Sequence, residues 1–215
     1  MNLKEIYAAD MLSGMRNKLN YMPVTDSAVS NLFLVYILND IILNKRRSII
    51  EFGSGISTVY ISKLIYEYNL STEFISVDES GEWSKTVNDI IDKNRINYKP
   101  ELITAPLKPC AYALGNLDWY DEKLLGTLLA GKSFDLLIID GPSAWKQGFE
   151  LARYPALPFL AKSMKSRCAV FLDDAGRDGE KKVLELWKEQ SGAEFETVNE
   201  DFAFIQIGNH NNIKL

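Results

Sequence analysis

The chain has 215 residues, of which 47% are hydrophobic and 25% charged, enough apolar material for the core of one α/β domain. Its formal net charge of -5, without a run of Lys and Arg, disfavours nucleic acid and anionic membranes as partners. Two cysteines are too few for a disulfide framework, and the sequence shows no signal-peptide or membrane-spanning pattern. We therefore expect a cytoplasmic protein that acts on a small molecule.

Residues 1–47 are predicted to form an N-terminal helical segment that packs on the core. Asp26 or Ser27 can cap a helix there, because both side chains accept hydrogen bonds from free backbone N–H groups. The basic run 45–47 suits the C-terminal end of that helix. Apolar residues recur on one helical face, at Val29, Leu32, Phe33, Tyr36, Ile37 and Ile41.

The region 48–215 alternates between two kinds of pattern. Short apolar runs that end in polar or glycine residues predict strands at 48–52, 74–77, 134–139 and 168–172, with a weaker strand at 101–104. Helices are predicted between them at 58–68, 83–94, 117–130, 146–164 and 179–190. Such alternation is typical of a doubly wound, mostly parallel sheet with helices on both faces. Residues 195–198 and 202–207 are too close for a parallel crossover and predict a final antiparallel pair.

A glycine-containing turn follows the first strand, in the segment Glu51-Phe52-Gly53-Ser54-Gly55-Ile56-Ser57-Thr58. Gly53 and Gly55 let a ligand approach the backbone, and the helix that follows offers free N–H groups. Ser57 replaces the third glycine of the dinucleotide fingerprint, so an ordinary strand-to-helix turn is the alternative. Glu51 argues for a site, because a carboxylate at the end of a buried strand needs a partner such as an ammonium or hydroxyls.

The second strand ends in Asp78-Glu79, about 20 residues after the glycine turn, the spacing of a carboxylate that binds ribose hydroxyls. We expect Asp78 to bind the ribose. The alternative is a solvated acid in a loop.

These motifs resemble those of the class I S-adenosylmethionine-dependent methyltransferases. The segment 51–55 is similar to their first motif and 77–83 to their second, while 21–23, 134–142 and 170–175 resemble small bacterial members. The resemblance implies a Rossmann-like sheet of seven strands with the last antiparallel, and S-adenosylmethionine as cofactor. It places Glu51, Gly53 and Gly55 at the methionine part of the cofactor, Asp78 at the ribose, and the Ala105-Pro106 segment at the adenine. The remaining predicted cofactor contacts are Phe52, Ser54, Ser57, Thr58, Glu79 and Asp140.

Three acids follow neighbouring strands: Asp140 follows the fourth, and Asp173 and Asp174 follow the fifth. They should converge at the carboxyl edge of the sheet, where clustered oxygens suit Mg²⁺. The pattern is similar to the catechol O-methyltransferase group, whose metal site has an Asp-Asn pair where this chain has Asp-Asp. The alternative is that Asp140 serves the cofactor while Asp173 and Asp174 cap the next helix or pair with Arg177.

The predicted catalytic residues are Asp140, Asp173 and Lys146. Lys146 is a candidate general base if its pKa is depressed, and the alternative is an exposed lysine at a helix start. Arg153 is a candidate contact to an acidic or sugar substrate, or else a surface residue. Aromatic residues form either an acceptor pocket or core, at Tyr112, Trp119, Tyr120 and Trp145.

The combined pattern predicts transfer of a methyl group to a sugar or phenolic hydroxyl of a small molecule. A non-catalytic S-adenosylmethionine-binding protein of the same fold and an NAD-dependent oxidoreductase are the alternatives. The sequence does not determine the oligomeric state, and a homodimer is one possibility. The segment 126–133 satisfies the phosphate-loop pattern of an ATPase, but it lies between a helix and a strand in the reverse order, so we interpret the match as accidental.

Overall fold

The computed structural model describes residues 3–20, 25 and 27–215. Its helices are α1 (Leu3–Arg16), α2 (Asn31–Leu43), α3 (Ile56–Glu67), α4 (Gly81–Lys93), α5 (Glu122–Leu128), α6 (Ala156–Leu160) and α7 (Asp178–Ser191). Its strands are β1 (Ser48–Phe52), β2 (Glu73–Asp78), β3 (Glu101–Thr104), β4 (Leu107–Pro109), β5 (Asp118–Tyr120), β6 (Phe134–Ile139), β7 (Met164–Asp173), β8 (Glu196–Val198) and β9 (Phe202–Ile207). One turn of 3₁₀ helix, Ala161–Ser163, joins α6 to β7.

Seven strands form one sheet in the order β3-β2-β1-β6-β7-β9-β8. The pairs from β3 to β7 are parallel, and β9 runs antiparallel to both β7 and β8. The Rossmann-like doubly wound sheet with an antiparallel last strand is thereby confirmed. Because its central strands are covered on both faces, they carry uninterrupted apolar runs: β1, β6 and the last six residues of β7 are buried throughout.

Side chains that alternate along the strands build two cores. Ile49 and Leu136 face a layer that contains α2 and α3. Ile50 and Leu137 face the opposite layer, which contains α5, α6, α7 and the β4–β5 hairpin. Helices therefore cover both faces, and the carboxyl ends of the parallel strands are left to meet along one edge.

The cap of α2 differs from the prediction. Ser30 caps the helix: its Oγ accepts from Phe33 N at 3.0 Å and donates to Asp201 Oδ2 at 2.5 Å. The carboxylate of Glu5, in α1, accepts from two further N–H groups of the first turn, at Asn31 and Leu32. Partners distant in the sequence therefore select the start of α2. Ser27 lies in a turn, and Asp26 and the segment 21–23 lie outside the described residues.

Two predicted helices are partly wrong. In 117–130 the helix α5 begins only after Asp121, and Asp118–Tyr120 is instead the strand β5, which pairs with β4 and buries Trp119 and Tyr120. In 146–164 the first ten residues are irregular, mainly turns, and the only α-helix there is the short α6. In both segments tertiary contacts outweigh local periodicity. β7 also begins at Met164, four residues before the predicted start at 168.

The segment with the phosphate-loop pattern covers the end of α5 and the turn into β6, the order that disfavours phosphate binding. α1 packs on α2, with Ala8 and Leu12 buried, while the division into 1–47 and 48–215 stays a prediction. Within the part of the chain described, no helix is long and apolar enough to cross a membrane.

A buried ion pair joins α2 to the segment that leads into β1. Arg46 Nε and NH2 donate to the carboxylate of Asp40 at 2.5 and 3.0 Å, and both residues are at most 2% exposed. Asn44 and Gln206 donate to the same carboxylate at 2.7 and 2.9 Å. Both charges are thus neutralised and hydrogen-bonded, the condition for burying them.

Replacing Asp40 with alanine is expected to lower the free energy of unfolding by about 3–5 kcal/mol, because Arg46 would stay buried without a counter-charge. Urea denaturation followed by circular dichroism measures the loss. The control is Asp92→Ala, which removes an exposed ion pair to Lys99 and should cost at most about 1 kcal/mol. Equal losses for the two variants would contradict the assignment.

Candidate functional site

A cavity of about 390 Å³ lies at the carboxyl ends of β1, β2, β6 and β7. This volume is within the roughly 300–1,000 Å³ usual for small-molecule sites, and the position is the one at which open α/β sheets bind ligands. The predicted site residues that line it are Gly53, Ser54, Gly55, Ser57, Asp78, Glu79, Asp140, Asp173 and Asp174.

Gly53 brings the ends of β1 and β6 into contact. Its φ is +95°, and a Cβ placed on it would lie 2.9 Å from the carbonyl carbon and oxygen of Asp140. Its N–H donates to Val77 O at 2.8 Å, which closes the turn against β2. Only glycine satisfies both the positive φ and the close approach. The turn then delivers Gly55 to the N-terminus of α3, so backbone N–H groups face the cavity.

Glu51 does not line the cavity. It is fully buried, and its carboxylate accepts from three hydroxyls: Ser57 at 2.6 Å, Thr58 at 2.5 Å and Ser76 at 2.6 Å. Burial raises its pKa to about 7, although the three hydroxyls act in the opposite direction. Hydroxyls are among the partners predicted for Glu51. Here they hold its carboxylate behind the glycine turn, on the side away from the cavity.

Two further predicted cofactor residues lie away from the cavity lining. Phe52 stacks on Tyr120 with ring centroids 5.5 Å apart, inside the core. Thr58, besides bonding Glu51, accepts from Gly55 N at 2.8 Å. Both therefore hold the shape of the turn and do not face the cavity.

Asp78 faces the cavity with a fixed orientation. Its Oδ2 accepts from Ser54 N at 3.0 Å and its Oδ1 from Ser80 N at 2.8 Å. Burial raises its pKa to about 6, although both N–H groups favour the charged form. Each oxygen keeps acceptor capacity for a ligand hydroxyl. Trp83, whose role the sequence did not indicate, donates from Nε1 to Ser54 O at 2.7 Å and lines the cavity beside Asp78.

The Ala105-Pro106 segment lies outside the cavity lining. Ala105 is fully buried and donates its N–H to Asp78 O at 2.8 Å, so it supports the residue predicted to bind ribose. Pro106 is exposed, and its carbonyl accepts from Asp121 N at 3.0 Å. An adenine contact at these two residues stays a prediction.

The three acids predicted at the sheet edge do converge: one carboxylate oxygen of each of Asp140, Asp173 and Asp174 lies within 4.8 Å of the others. Arg153 lies among them, with NH2 3.0 Å from Asp140 Oδ1 and NH1 3.0 Å from Asp174 Oδ2. Arg177 makes a second, more exposed contact to Asp174 at 2.7 Å. The predicted pairing of Asp174 with Arg177 is therefore present.

Burial raises the pKa of Asp140 and of Asp173, and the neighbouring negative charges of the cluster act in the same direction. The Arg153 guanidinium opposes the increase at both residues. The carboxyl edge is thus a place where a proton can be held at neutral pH.

The arrangement does not fit a divalent cation at this cluster. Mg²⁺ requires a near-octahedral shell of oxygens at about 2.0–2.1 Å, whereas the carboxylates of Asp140 and Asp174 are already turned toward a guanidinium. Positive charge in the cluster is supplied from within the chain by Arg153.

Lys146 is exposed and does not line the cavity; its Nζ lies 5.4 Å from the ring centroid of Trp145. Of the aromatic residues proposed for an acceptor pocket, Trp145 lines the cavity, while Trp119 and Tyr120 are core. Tyr112 packs edge-on against Phe159. The general-base role of Lys146 stays a prediction that its position does not favour.

Several cavity residues were not expected from the sequence. Some directly follow predicted strands, and that position could have indicated a role in the site. Others precede α2, where no sequence motif indicates such a role. They are Thr25, Ser27, Ala28, Val29, Ile56, Ser80, Gly141, Ser143 and Arg177.

No family model and no curated protein matches this sequence. Among solved structures, the O-methyltransferase TomG of Streptomyces achromogenes, in complex with SAM, matches with TM-score 0.59 and 11% identity over 97% of this chain and 91% of its own. The O-methyltransferase of Bacillus cereus in complex with SAH has TM-score 0.56 and 13% identity over 97% and 92%. A candidate caffeoyl-CoA O-methyltransferase of Staphylococcus aureus has TM-score 0.63 and 13% identity over 96% and 100%. At these identities the likeness is one of fold, and the chain has the Rossmann-like fold of these methyltransferases.

The buried Glu51 is expected to make stability depend on pH. Its pKa is about 7 in the folded protein and 4.5 ordinarily. Between pH 4.5 and 7 the folded state therefore binds a proton at Glu51 that the unfolded state has lost. Its stabilising contribution is present below about pH 4.5 and is lost as pH rises through 7. Glu51→Gln should therefore be less pH-dependent than wild type, by an amount on the order of 3 kcal/mol between pH 5 and 8. The measurement is urea denaturation across that range. Glu82→Gln, at an exposed position in α4, is the control, and matching slopes for both variants would argue against a raised pKa for the buried Glu51.

Gly53→Ala is expected to destabilise the protein by roughly 1–3 kcal/mol, because φ is positive and the added Cβ would meet the Asp140 carbonyl. Gly126→Ala is the matched control. Gly126 lies within α5 with nothing within 4 Å of an added Cβ, so this change should stabilise by roughly 0.5–1 kcal/mol. Thermal unfolding compares the two, and a neutral Gly53→Ala would refute the close approach.

Proposed function

We propose that this protein transfers a methyl group from S-adenosylmethionine to a hydroxyl of a small molecule. The observation that carries the proposal is the cavity where Gly53, Asp78 and Asp140 meet at the carboxyl edge of the sheet. Support comes from the fold, shared with O-methyltransferases of which one is in complex with SAM and another with SAH.

The residues present fit this cofactor. Asp78, fixed by two N–H groups and open to the cavity, would accept hydrogen bonds from the two ribose hydroxyls. The N–H groups at the start of α3, beside Gly53 and Gly55, suit a carboxylate, because a helix N-terminus favours negative charge. When bound, S-adenosylmethionine supplies the electrophilic methyl group.

The acceptor needs alignment and the removal of one proton. Asp140 lines the cavity, and its raised pKa suits a general base that takes the hydroxyl proton near neutral pH. Asp173, directly beside it, shares the same buried negative cluster. Trp145 gives the cavity an exposed aromatic face, on which either a sugar or a phenolic ring could pack. Alignment of the acceptor is the larger part of the protein's contribution, since the cofactor carries the reactive group.

Other expectations from the sequence stay predictions. They are a cytoplasmic location, the absence of nucleic acid as a partner and homodimer formation. The use of Mg²⁺ at Asp140, Asp173 and Asp174 is a prediction that the Arg153 guanidinium among these acids does not favour. An NAD-dependent oxidoreductase is the weaker alternative, because Ser57 still breaks the three-glycine pattern at the turn.

Calorimetric titration with S-adenosylhomocysteine is expected to show micromolar binding that Asp78→Ala weakens about tenfold or more, because hydrogen bonds to a carboxylate are lost. Asp89→Ala, on the exposed side of α4, is the matched control and should bind as wild type does. A screen of sugars and phenols with methyl-labelled cofactor then identifies the acceptor.

Binding of NAD instead of S-adenosylhomocysteine by folded protein would overturn the proposal in favour of an oxidoreductase. Binding of S-adenosylhomocysteine without transfer to any class of hydroxyl would favour a non-catalytic protein of the same fold. Wild-type affinity in Asp78→Ala would remove Asp78 from the ribose site.

A further inference from the structure

Arg153 is the least exposed cation of the site, at 3% exposure, although the sequence offered it only as a substrate contact or a surface residue. It lies in the turns between β6 and α6, the segment whose helical periodicity is not realised. Its neighbours Ala152 and Ala156 are also buried. The backbone is therefore irregular, and not helical, where the Arg153 side chain reaches the carboxyl ends of the strands.

The guanidinium joins the carboxyl ends of two neighbouring strands. NH2 donates at 3.0 Å to both the backbone oxygen and Oδ1 of Asp140, which follows β6. NH1 donates at 3.0 Å to the backbone oxygen of Asp173, which ends β7. These contacts hold the backbone as well as the side chains, so Arg153 positions the edge on which the cavity is built.

The same group also compensates charge. NH1 lies 3.0 Å from Asp174 Oδ2 and 3.5 Å from Glu180 Oε1, and Glu180 is 1% exposed. Several carboxylates at a buried edge repel one another unless a cation lies between them. A guanidinium serves at any physiological pH because it does not lose its proton.

We infer that Arg153 is a built-in counter-cation that takes the place of a divalent metal ion, so that this protein transfers methyl groups without a divalent metal. The statement about methyl transfer rests on the proposed function, whereas the statement that Arg153 occupies the cation position does not. Arg153 is a positioning residue: it fixes Asp140 and balances the acids around the acceptor side of the cavity. An ion at the same cluster would have to displace the guanidinium from two carboxylates or bear its repulsion.

Mn²⁺ is the probe, because electron paramagnetic resonance measures its free concentration directly. EDTA-treated wild-type protein is expected to bind no Mn²⁺ at this cluster, and its affinity for S-adenosylhomocysteine should be unchanged by EDTA. Arg153→Met, which removes the charge at similar side-chain length, should bind Mn²⁺ at least about tenfold more tightly than the weakest binding that the titration of wild type could detect. The added change Asp174→Asn should abolish the new binding.

Two variants separate charge from packing. Arg153→Lys keeps a positive charge and should bind no Mn²⁺, whereas a purely structural role would make it resemble Arg153→Met. Arg177→Met removes the other cation on Asp174, but this arginine is 42% exposed in its side chain, so only a small gain is expected. If circular dichroism shows Arg153→Met unfolded, Arg153→Gln replaces it.

Stoichiometric Mn²⁺ binding to wild type that Asp174→Asn removes would overturn the inference, as would a folded Arg153→Met or Arg153→Gln that gains no Mn²⁺. Failure of S-adenosylhomocysteine to bind would instead remove the proposed reaction and leave the metal result standing. The two failures are therefore distinguishable.

Discussion

The burial of carboxylates at one edge of the sheet is the constraint on which the rest of this structure depends. Strands that end at the same edge bring together four carboxylates, those of Glu51, Asp78, Asp140 and Asp173. All four are buried or half-buried, which is unfavourable for a charged group that has no partner. Three different solutions stabilise them. Hydroxyls hold Glu51, backbone N–H groups hold Asp78, and the Arg153 guanidinium holds the acids after β6 and β7.

These solutions divide the edge by function. The hydroxyls hold Glu51 behind the glycine turn, so it shapes the turn and does not line the cavity. The N–H groups leave Asp78 open to the cavity, as the proposed contact to ribose requires. Arg153 leaves Asp140 both fixed and facing the cavity, which is what a group that receives a proton from an acceptor requires.

The parts of the fold that could be predicted were those in which one local pattern has one structural meaning. Buried runs such as 48–52 and 134–139 became strands because burial on both faces demands continuous apolar residues. The segment 117–130 failed because Trp119 and Tyr120 fit a helical stripe and a strand equally well, and pairing with β4 decided between them. In 146–164 the contacts of Arg153 prevailed over helical periodicity.

The sequence by itself determined the strands, the antiparallel last pair, the glycine turn and the convergence of acids at one edge. Apolar runs, side-chain period and connection length are local patterns, and parallel strands end at the same edge. Only the tertiary structure decided which of those acids faces the cavity and what neutralises each. Two examples are the position of the Glu51 carboxylate, in the cavity or behind the glycine turn, and that of Arg153, at the surface or between two strand ends. Both positions depend on groups far apart in the chain. Charge compensation of this kind is a property of distance in space, and no spacing along the sequence encodes it.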